Sequence, residues 1–363
     1  MKTILINLLS QQRIQNLIAI KHIQPDVVVA LSTKDFEHQI ETFESVANVA
    51  HKKILIEAYD LTQNLQILDR VAKQYINDHL IINYTGGTKV MALSAILRVL
   101  LSASQKVELI YVNSRDLKID SILVNEDKTL KSSETDLKIH INITDYFTMM
   151  GETLDQMDTS LSENEQERIN LSKRLMYERI FSKLFKKQKT FFDKKGSPLL
   201  THSITFDNVD LFWDNQEFRI KTSKKLLKYN HGDGGVYLTG SWLEELVFNK
   251  MVESHRFDEC AKNVLINYKE QETDYNKNEI DVVVRKGFKT AFIECKAGNV
   301  TQDHVYKLKS ITNYYLGAFG VPVLYSKFKP QLNVVEKCKD LGVHLFSGQE
   351  FKYLEFEIKK LLN

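Results

Sequence analysis

The chain has 363 residues, of which 43% are hydrophobic and 26% are charged, proportions typical of a soluble globular protein with enough length for two or three domains. Its 49 Lys and Arg residues nearly balance its 47 Asp and Glu residues, which leaves a formal net charge of +2. This balance excludes a protein that binds nucleic acid through its overall charge, so any such binding must be local.

The 3 cysteines, Cys260, Cys295 and Cys338, are widely spaced along the chain. This spacing predicts neither a disulfide framework nor a zinc site and fits the reducing cytosol. The apolar run that follows Met1 is too short for a signal peptide, and the sequence has no apolar stretch long enough to span a membrane. We therefore expect a cytoplasmic protein without a membrane anchor.

The N-terminal part alternates short apolar runs with segments of helical periodicity. Runs that are apolar throughout are typical of parallel strands buried on both faces, so the alternation predicts a Rossmann-like α/β sandwich. Two antiparallel edge strands, 121–124 and 137–141, are expected to complete the sheet. The predicted parallel strands are 4–6, 27–31, 53–56, 80–84 and 107–112, and the predicted helices are 14–20, 36–49, 61–76 and 89–101.

Two adjacent glycines, Gly86 and Gly87, follow the fourth predicted strand, and no other glycine precedes Gly151. Glycine here indicates a need for backbone freedom or close approach at the carboxyl end of a strand, where doubly wound sheets bind ligands. The N–H groups at the start of the next helix would favour an anionic ligand. A tight turn in which Thr88 caps that helix accounts for the same residues without any ligand.

The segment Asn83-Tyr84-Thr85-Gly86-Gly87-Thr88-Lys89-Val90-Met91 resembles the N-x-T-G-G-T-K-x-M signature of CRISPR-associated Rossmann fold (CARF) sensor domains. The resemblance implies a homodimer whose two-fold axis builds one pocket for a cyclic oligoadenylate, with cyclic tetra-adenylate as the expected activator. Polar residues that follow the first two predicted strands are expected to lie at the same sheet edge. The predicted ligand-binding residues are Ser10, Gln11, Gln12, Thr33, Asn83, Thr85, Gly86, Gly87, Thr88 and Lys89.

The middle of the chain, 146–232, is predicted to be a connector. Residues 151–170 are typical of a hinge that leads into a helix, and 199–220 of a short β element. Between them, basic residues from Lys173 to Lys189 alternate with Tyr177, Phe181 and Phe185. This composition fits a surface that binds a nucleic-acid strand, but an amphipathic helix with a solvated basic face is the commoner cause.

A β-hairpin is predicted in the C-terminal part, where 280–284 and 291–296 flank Gly287. A two-residue turn that begins with Gly287 places Val284 opposite Ala291. The same register brings Asp281, Glu294 and Lys296 to one face, with Ile293 and Cys295 on the other.

Two opposed carboxylates repel each other, and a divalent cation such as Mg²⁺ or Mn²⁺ would relieve that repulsion. The Lys296 ammonium could position or deprotonate a water, or stabilise charge that develops on a phosphate. A solvated strand face with an exposed Asp, Glu and Lys explains the spacing equally well.

The residues Asn278-Glu279-Ile280-Asp281 and Ile293-Glu294-Cys295-Lys296 resemble the D…E-x-K signature of the PD-(D/E)XK, or restriction-endonuclease-like, nucleases. Similarly, 240–244 resembles the helix that these enzymes place before the hairpin. The resemblance implies metal-dependent phosphodiester cleavage with Asp281, Glu294, Lys296 and Glu244 as catalytic residues and Asp281, Glu294 and Cys295 at the metal. Ser241 and Glu244 also fit a helix capping box, and Glu245 is a second candidate acid.

Together the two resemblances predict an α/β fold with a CARF sensor over 1–145, the connector over 146–232 and a PD-(D/E)XK nuclease domain over 233–363. The predicted function is a cyclic-oligoadenylate-activated nuclease of type III CRISPR defence that cuts DNA, RNA or both. Two alternatives are a ligand-regulated nucleic-acid-binding protein without cleavage and an unregulated restriction or repair nuclease.

Overall fold

The structure, a computed structural model, describes residues 1–10, 13–37, 39–101, 106–177, 202–206, 209–213, 217–222, 226–230, 236–267 and 278–363. These residues form two compact units. The first comprises Met1–Thr153 with Tyr315–Phe319, and the second comprises Leu154–Tyr314 with Gly320–Asn363. Of the helices in these ranges, none combines the length and the apolar character needed to cross a lipid bilayer.

The first unit is built on one seven-stranded sheet. Its strands are β1 Thr3–Leu8, β2 Val27–Ser32, β3 His51–Leu55, β4 His79–Asn83, β5 Val107–Asn113, β6 Lys118–Val124 and β7 Leu130–Asp136. The strand order is β3-β2-β1-β4-β5-β6-β7, with the first five parallel and the last two antiparallel. The strand order reverses between β1 and β4, where an α/β sheet opens a crevice at its carboxyl edge.

Helices connect the parallel strands of this sheet: α1 Ile14–Ile23, α2 Gln39–Ala47, α3 Leu61–Gln74 and α4 Lys89–Leu101, with α5 Ile143–Met149 after the last strand. Strands β1 and β2 are buried along almost their whole length, as expected for a sheet covered on both faces. The Rossmann-like prediction is confirmed.

The last strand of the sheet differs from the prediction. The predicted strand 137–141 is wrong, because the edge strand is β7 and 137–141 lead into α5 instead. All seven residues of β7 are exposed, so it is attached by backbone pairing to β6 and carries no apolar pattern. Helix α5, which buries Tyr146 and Phe147, was not predicted.

The second unit contains a mixed six-stranded sheet flanked by helices. Its strands are β8 Thr153–Asp158, β13 Glu259–Asn267, β14 Asn278–Lys286, β15 Lys289–Lys296, β16 Gly320–Ser326 and β17 His344–Ser347, in the order β17-β16-β15-β14-β13-β8. The helices are α6 Glu163–Tyr177, α7 Trp242–Glu253, α8 Gln302–Leu316, α9 Leu332–Leu341 and α10 Leu354–Leu362. A separate antiparallel sheet contains β9 His202–Phe206, β10 Val209–Trp213, β11 Glu217–Thr222 and β12 Leu226–Asn230.

The connector is more regular than its polar sequence indicated. The segment predicted as a hinge forms β8, which joins the edge of the six-stranded sheet, and α6 follows it. Helix α9 was also not predicted. The predicted β element at 199–220 corresponds to the small antiparallel sheet, and most of the basic and aromatic segment, 178–189, lies outside the described residues.

Candidate active site and ligand-binding loop

The predicted hairpin forms with the predicted register. Val284 pairs with Ala291 and Lys286 pairs with Lys289, which leaves Gly287 and Phe288 as the two turn residues. Gly287 has φ +58°, a left-handed conformation that glycine adopts without strain. A short turn of this kind fixes which residues of β14 and β15 face each other.

One face of the hairpin packs into the hydrophobic core, and the other carries the charged side chains. Ile293 and Cys295 belong to the buried cluster that also contains Val282 and Val284. Since strand side chains alternate, Asp281, Glu294 and Lys296 lie on the other face. The sequence therefore placed the acidic pair and the lysine on one side correctly.

These three side chains contact one another. The Lys296 Nζ lies 2.5 Å from Glu294 Oε1 and 3.9 Å from Asp281 Oδ2. The same Asp281 oxygen accepts a hydrogen bond of 2.7 Å from the main-chain N–H of Cys295. Asp281 is buried, whereas the Lys296 side chain stays partly open to solvent. The lysine is thus the cation that compensates both carboxylates.

Glu244 joins this group from α7. The helix is preceded by a π-helical turn, Tyr237–Ser241, and Ser241 makes no side-chain capping hydrogen bond. The capping-box explanation of Glu244 is therefore wrong. Burial raises the pKa of Glu244 well above its ordinary value, and the nearby Asp281 carboxylate raises it further.

Asp281 has a strongly perturbed acidity. Burial raises its pKa to about 7, and the charge of Glu294 acts in the same direction. The Lys296 ammonium and the Cys295 N–H oppose this increase without cancelling it. Two buried acids that resist ionisation side by side are typical of a site that gathers negative charge for a cation.

Lys296 stays protonated. Burial lowers its pKa, but the carboxylates of Asp281 and Glu294 outweigh that effect and the pKa is raised. An ammonium with a raised pKa is a poor proton acceptor, so this arrangement favours charge stabilisation over the role of a general base.

The donor set suits a hard divalent cation. Asp281 and Glu294 present carboxylate oxygens within 4 Å of one point, the Lys296 Nζ. The Cys295 side chain lies in the core, on the face of the hairpin opposite the two carboxylates, so its thiol is not directed at them. The N–H of Cys295 points towards Asp281, and because the N–H and C=O of one strand residue point the same way, the Cys295 carbonyl is a candidate third oxygen donor. Among the described side chains, no group of three His, Cys, Asp or Glu surrounds one point.

His304 is a neighbour of the site that the sequence did not reveal. Its Nδ1 accepts a 3.0 Å hydrogen bond from the N–H of Thr301 at the start of α8, so the neutral ring carries its proton on Nε2. Burial lowers its pKa and the charge of Lys296 lowers it further. A histidine three residues after a threonine is a variant of the capping box. This spacing of Thr301 and His304 is the only sequence signal that could have indicated the position of His304.

The predicted ligand-binding loop joins β4 to α4 beside the strand-order reversal. Asn83 is fully buried beneath the loop, where its Nδ2 donates to Asn7 Oδ1 and Asn16 Oδ1, both at 3.0 Å. Its Oδ1 accepts from the Thr85 hydroxyl at 2.6 Å. Asn83 therefore anchors the loop from inside and is not placed to touch a ligand.

The loop hydroxyls are also used internally. Thr85 Oγ1 accepts from the Val112 N–H at 2.7 Å. Thr88 Oγ1 donates to Ala58 O at 2.5 Å and accepts from the Met91 N–H at 3.2 Å, which makes Thr88 the N-cap of α4 as the turn interpretation predicted. The surface left for a ligand is mainly the backbone of the loop.

Glycine is required at positions 86 and 87 for different reasons. A Cβ on Gly86 would lie 2.2 Å from the Leu8 carbonyl oxygen at the end of β1, so close backbone approach requires glycine there. Gly87 has φ +77° and needs glycine for its conformation. Ser10 and Thr33 follow β1 and β2 at this edge and are partly exposed, and Lys89 is exposed at the first turn of α4. Gln11 and Gln12 lie outside the described residues.

Comparisons with known proteins agree with both halves of the chain. Residues 4–146 match the family model of the Card1 CARF domain, and residues 234–362 match that of the Card1-like endonuclease domain. The two resemblances drawn from the loop and the hairpin are confirmed at the level of the domains. A search of curated proteins found no match.

Solved structures share the fold over the whole chain. Can2 from Sulfobacillus thermosulfidooxidans, solved with cyclic tetra-adenylate, has a TM-score of 0.73 at 18% identity, with 99% of both chains covered. Protein VC1899 from Vibrio cholerae has a TM-score of 0.75 at 16% identity, with 99% of this chain and 98% of that chain covered. A type III CRISPR defence DNA nuclease activated by cyclic oligoadenylate has a TM-score of 0.54 at 14% identity and covers 96% of this chain and 50% of its own.

Proposed function

We propose that this chain, which joins a Card1-type CARF domain to a Card1-like endonuclease domain, is a metal-dependent nuclease of type III CRISPR defence that a cyclic oligoadenylate activates. The observation that carries the proposal is the convergence of Asp281, Glu294 and Lys296 on one face of the hairpin. Glu244 of α7 is close enough to this group for the Asp281 charge to act on its carboxyl. A sheet with this group at its edge offers the charges that phosphodiester cleavage needs.

The metal site consists of the Asp281 and Glu294 carboxylates and the Cys295 carbonyl. These are oxygen donors, so the ion is Mg²⁺ or Mn²⁺. When bound, the cation supplies Lewis-acid polarisation of the scissile phosphate.

Two side chains act around that site. Lys296, held as an ammonium, binds a phosphate oxygen and stabilises the negative charge that builds up during attack. Burial raises the pKa of Glu244, which favours its protonated form, and we assign to Glu244 the exchange of a proton with a water at the site. The substrate is DNA or RNA, because this group acts on the phosphodiester and contains nothing that selects a sugar or a base.

The activator binds at the carboxyl edge of the first sheet, and cyclic tetra-adenylate is the ring we propose. The backbone N–H groups of Gly86 and Gly87 sit beside the N-terminus of α4, where phosphates bind favourably. Lys89 adds an exposed positive charge, while Asn83, Thr85 and Thr88 hold the loop in shape. Ser10, Gln11, Gln12 and Thr33 follow the neighbouring strands and complete the proposed ligand site.

The active assembly is a homodimer formed through α4. This helix exposes Leu93, Leu100 and Leu101, the last with 73% of its surface accessible. An apolar helix face of this size is typical of a protein interface. Since α4 begins at the ligand loop, pairing of two such helices about a two-fold axis brings both loops to one pocket.

We assign the sensor to 1–145, the connector to 146–232 and the nuclease domain to 233–363. The connector contributes β8 and α6 to the second compact unit. Activator binding shifts the protomers towards the active arrangement, and the ratio of the ligand affinities of the two arrangements sets the limit of that shift.

The test is cleavage of labelled single-stranded RNA, single-stranded DNA and supercoiled plasmid with Mn²⁺, with and without a panel of cyclic oligoadenylates. Activation by cyclic tetra-adenylate, abolished in Glu294→Gln and Lys296→Ala, is the expected result. Equal rates with and without activator would remove the gating and leave an unregulated nuclease. No cleavage, combined with activator-dependent binding of nucleic acid, would identify a binding regulator.

A further inference from the structure

Helix α6 holds the start of α7 at two points one helical turn apart. The Arg168 guanidinium forms a fork on the Glu245 carboxylate, with Nε 2.8 Å from Oε2 and a second bond from Nη2 to Oε1. Four residues later, the Ser172 hydroxyl lies 2.7 Å from the Tyr237 hydroxyl. Arg168 also stacks on the Tyr237 ring at 4.6 Å. We call Arg168, Ser172, Tyr237 and Glu245 the α6 clamp.

The clamped segment has an uncommon backbone geometry. Tyr237–Ser241 is a π-helical turn, a geometry that is rare and concentrated at functional sites. Tyr237 is the first residue of this turn and Glu245 lies four residues after its last residue, Ser241, and both Tyr237 and Glu245 are buried. The clamp therefore fixes both ends of the segment that leads into the helix carrying Glu244.

The ion pair determines how α7 is rotated. Glu244 and Glu245 are consecutive, so their side chains leave the helix about 100° apart. When Arg168 holds Glu245 by two parallel hydrogen bonds, it also fixes the direction of Glu244 towards Asp281. Without Arg168, the buried Glu245 carboxylate would lose both hydrogen bonds, and the ion pair would no longer hold α7 in this rotation.

We infer that Arg168 is a positioning residue that acts through Glu245 to hold Glu244 at the phosphodiester-cleaving centre. The inference rests on the proposed nuclease function and adds a residue from the connector to its machinery. Glu245, the alternative acid in the sequence, is thereby assigned to the clamp, and Glu244 to the chemistry.

The experiment uses the full-length protein with saturating cyclic tetra-adenylate and Mn²⁺ on a labelled single-stranded DNA. Arg168→Met is expected to lower kcat about 10- to 100-fold with KM changed less than about 3-fold, because the loss is in the orientation of a reacting group. Arg168→Lys keeps the charge without the fork and should give an intermediate kcat. Lys360→Met, which removes a cation from an exposed pair with Glu357, is the matched control and should cleave like wild type.

A double-mutant cycle separates positioning from general stability. If Arg168 acts through Glu244, then Arg168→Met causes no further loss of kcat in a Glu244→Gln background. The inference would be overturned if the kcat losses of Arg168→Met and Glu244→Gln multiplied in the double variant. Wild-type kcat in folded Arg168→Met would overturn it as well. Absence of cleavage by the wild-type protein would instead count against the proposed function.

A second variant covers the case in which Arg168→Met does not fold. Tyr237→Phe keeps the buried ring and removes only the hydroxyl that bonds Ser172. The expected loss of kcat is about 3- to 10-fold, and it should vanish in the Glu244→Gln background. Wild-type kcat in Tyr237→Phe, or a loss that persists in that background, would contradict the clamp.

Discussion

The carboxylate of Asp281 accepts a hydrogen bond from the main-chain N–H of Cys295 at 2.7 Å, while the Cys295 side chain points into the core on the other face of the sheet. The backbone of Cys295 thus contacts the candidate site, while its side chain packs in the hydrophobic core. The sequence predicted Cys295 at the metal, and because the thiol lies in the core we propose the backbone carbonyl for that role.

Cys295→Ala is therefore expected to bind Mn²⁺ and cleave nucleic acid like the wild type. It should lose about 1–2 kcal/mol of unfolding free energy, because a buried sulfur is removed from a packed cluster. Calorimetric titration with Mn²⁺ and a denaturant melt of the same preparation measure both quantities. Asp281→Ala is the comparison that should lose the metal site, and loss of Mn²⁺ binding in Cys295→Ala would show that the thiol is a ligand after all.

Asp281→Asn is expected to stabilise the metal-free protein at pH 8 by roughly 1–3 kcal/mol. The folded-state pKa of Asp281 is raised from 3.8 to about 7, so its contribution to stability is lost as pH rises through that window. Asparagine carries no charge and still accepts the Cys295 N–H. The gain should shrink as the pH falls towards 4.

Thermal melts without metal measure this effect, with Asp155→Asn on an exposed position of β8 as the control that should stay within about 0.5 kcal/mol of wild type. Saturating Mn²⁺ should reverse the order of stability, because only the wild type gains from the ion. If the wild type were more stable than Asp281→Asn at pH 8 without metal, ionisation of Asp281 would not destabilise the folded protein.

Features set by neighbouring residues were accessible from the sequence. Gly287 fixed the hairpin turn, and the two-residue period then put Glu294 and Lys296 on one face. The strands of the first sheet followed from their continuous apolar runs, as in β1 and β2. These features depend on patterns that a few consecutive residues impose.

Features set by distant partners were not accessible. Arg168 and Glu245 are 77 residues apart, and no local sequence pattern around either residue predicts their contact. Asn16 and Asn83 meet under the ligand loop at a separation of 67 residues. Strand β7 was missed for another reason, because pairing through the backbone leaves no apolar period to find.

Gly86→Ala and Gly87→Ala are expected to destabilise the first unit by different amounts. The new methyl of Gly86→Ala would lie 2.2 Å from the Leu8 carbonyl oxygen, and because this neighbour is backbone we expect a loss of about 3 kcal/mol. In Gly87→Ala the neighbours are side-chain atoms at 3.1 Å or more, and the φ of +77° costs about 1–2 kcal/mol.

Differential scanning calorimetry compares the melting temperatures of the two variants. Calorimetric titration with cyclic tetra-adenylate measures whether the altered loop still binds the ligand. Gly240→Ala is the control, since nothing lies within 4 Å of a Cβ there. Equal melting temperatures for Gly86→Ala and wild type would mean that the loop does not pack against the end of β1.

The exposed face of α4 gives the last prediction. Leu93→Glu places a charge on a residue that exposes 47% of its surface in one chain and that we assign to the dimer interface. Burying that carboxylate against its symmetry mate costs more than the apolar contact contributes, so the variant should be monomeric by sedimentation. Its cleavage should no longer respond to activator, while calorimetric Mn²⁺ binding stays unchanged because Asp281 and Glu294 lie in the other unit. Leu332→Glu, on the exposed part of α9, should remain dimeric, and a dimeric, activatable Leu93→Glu would move the interface away from α4.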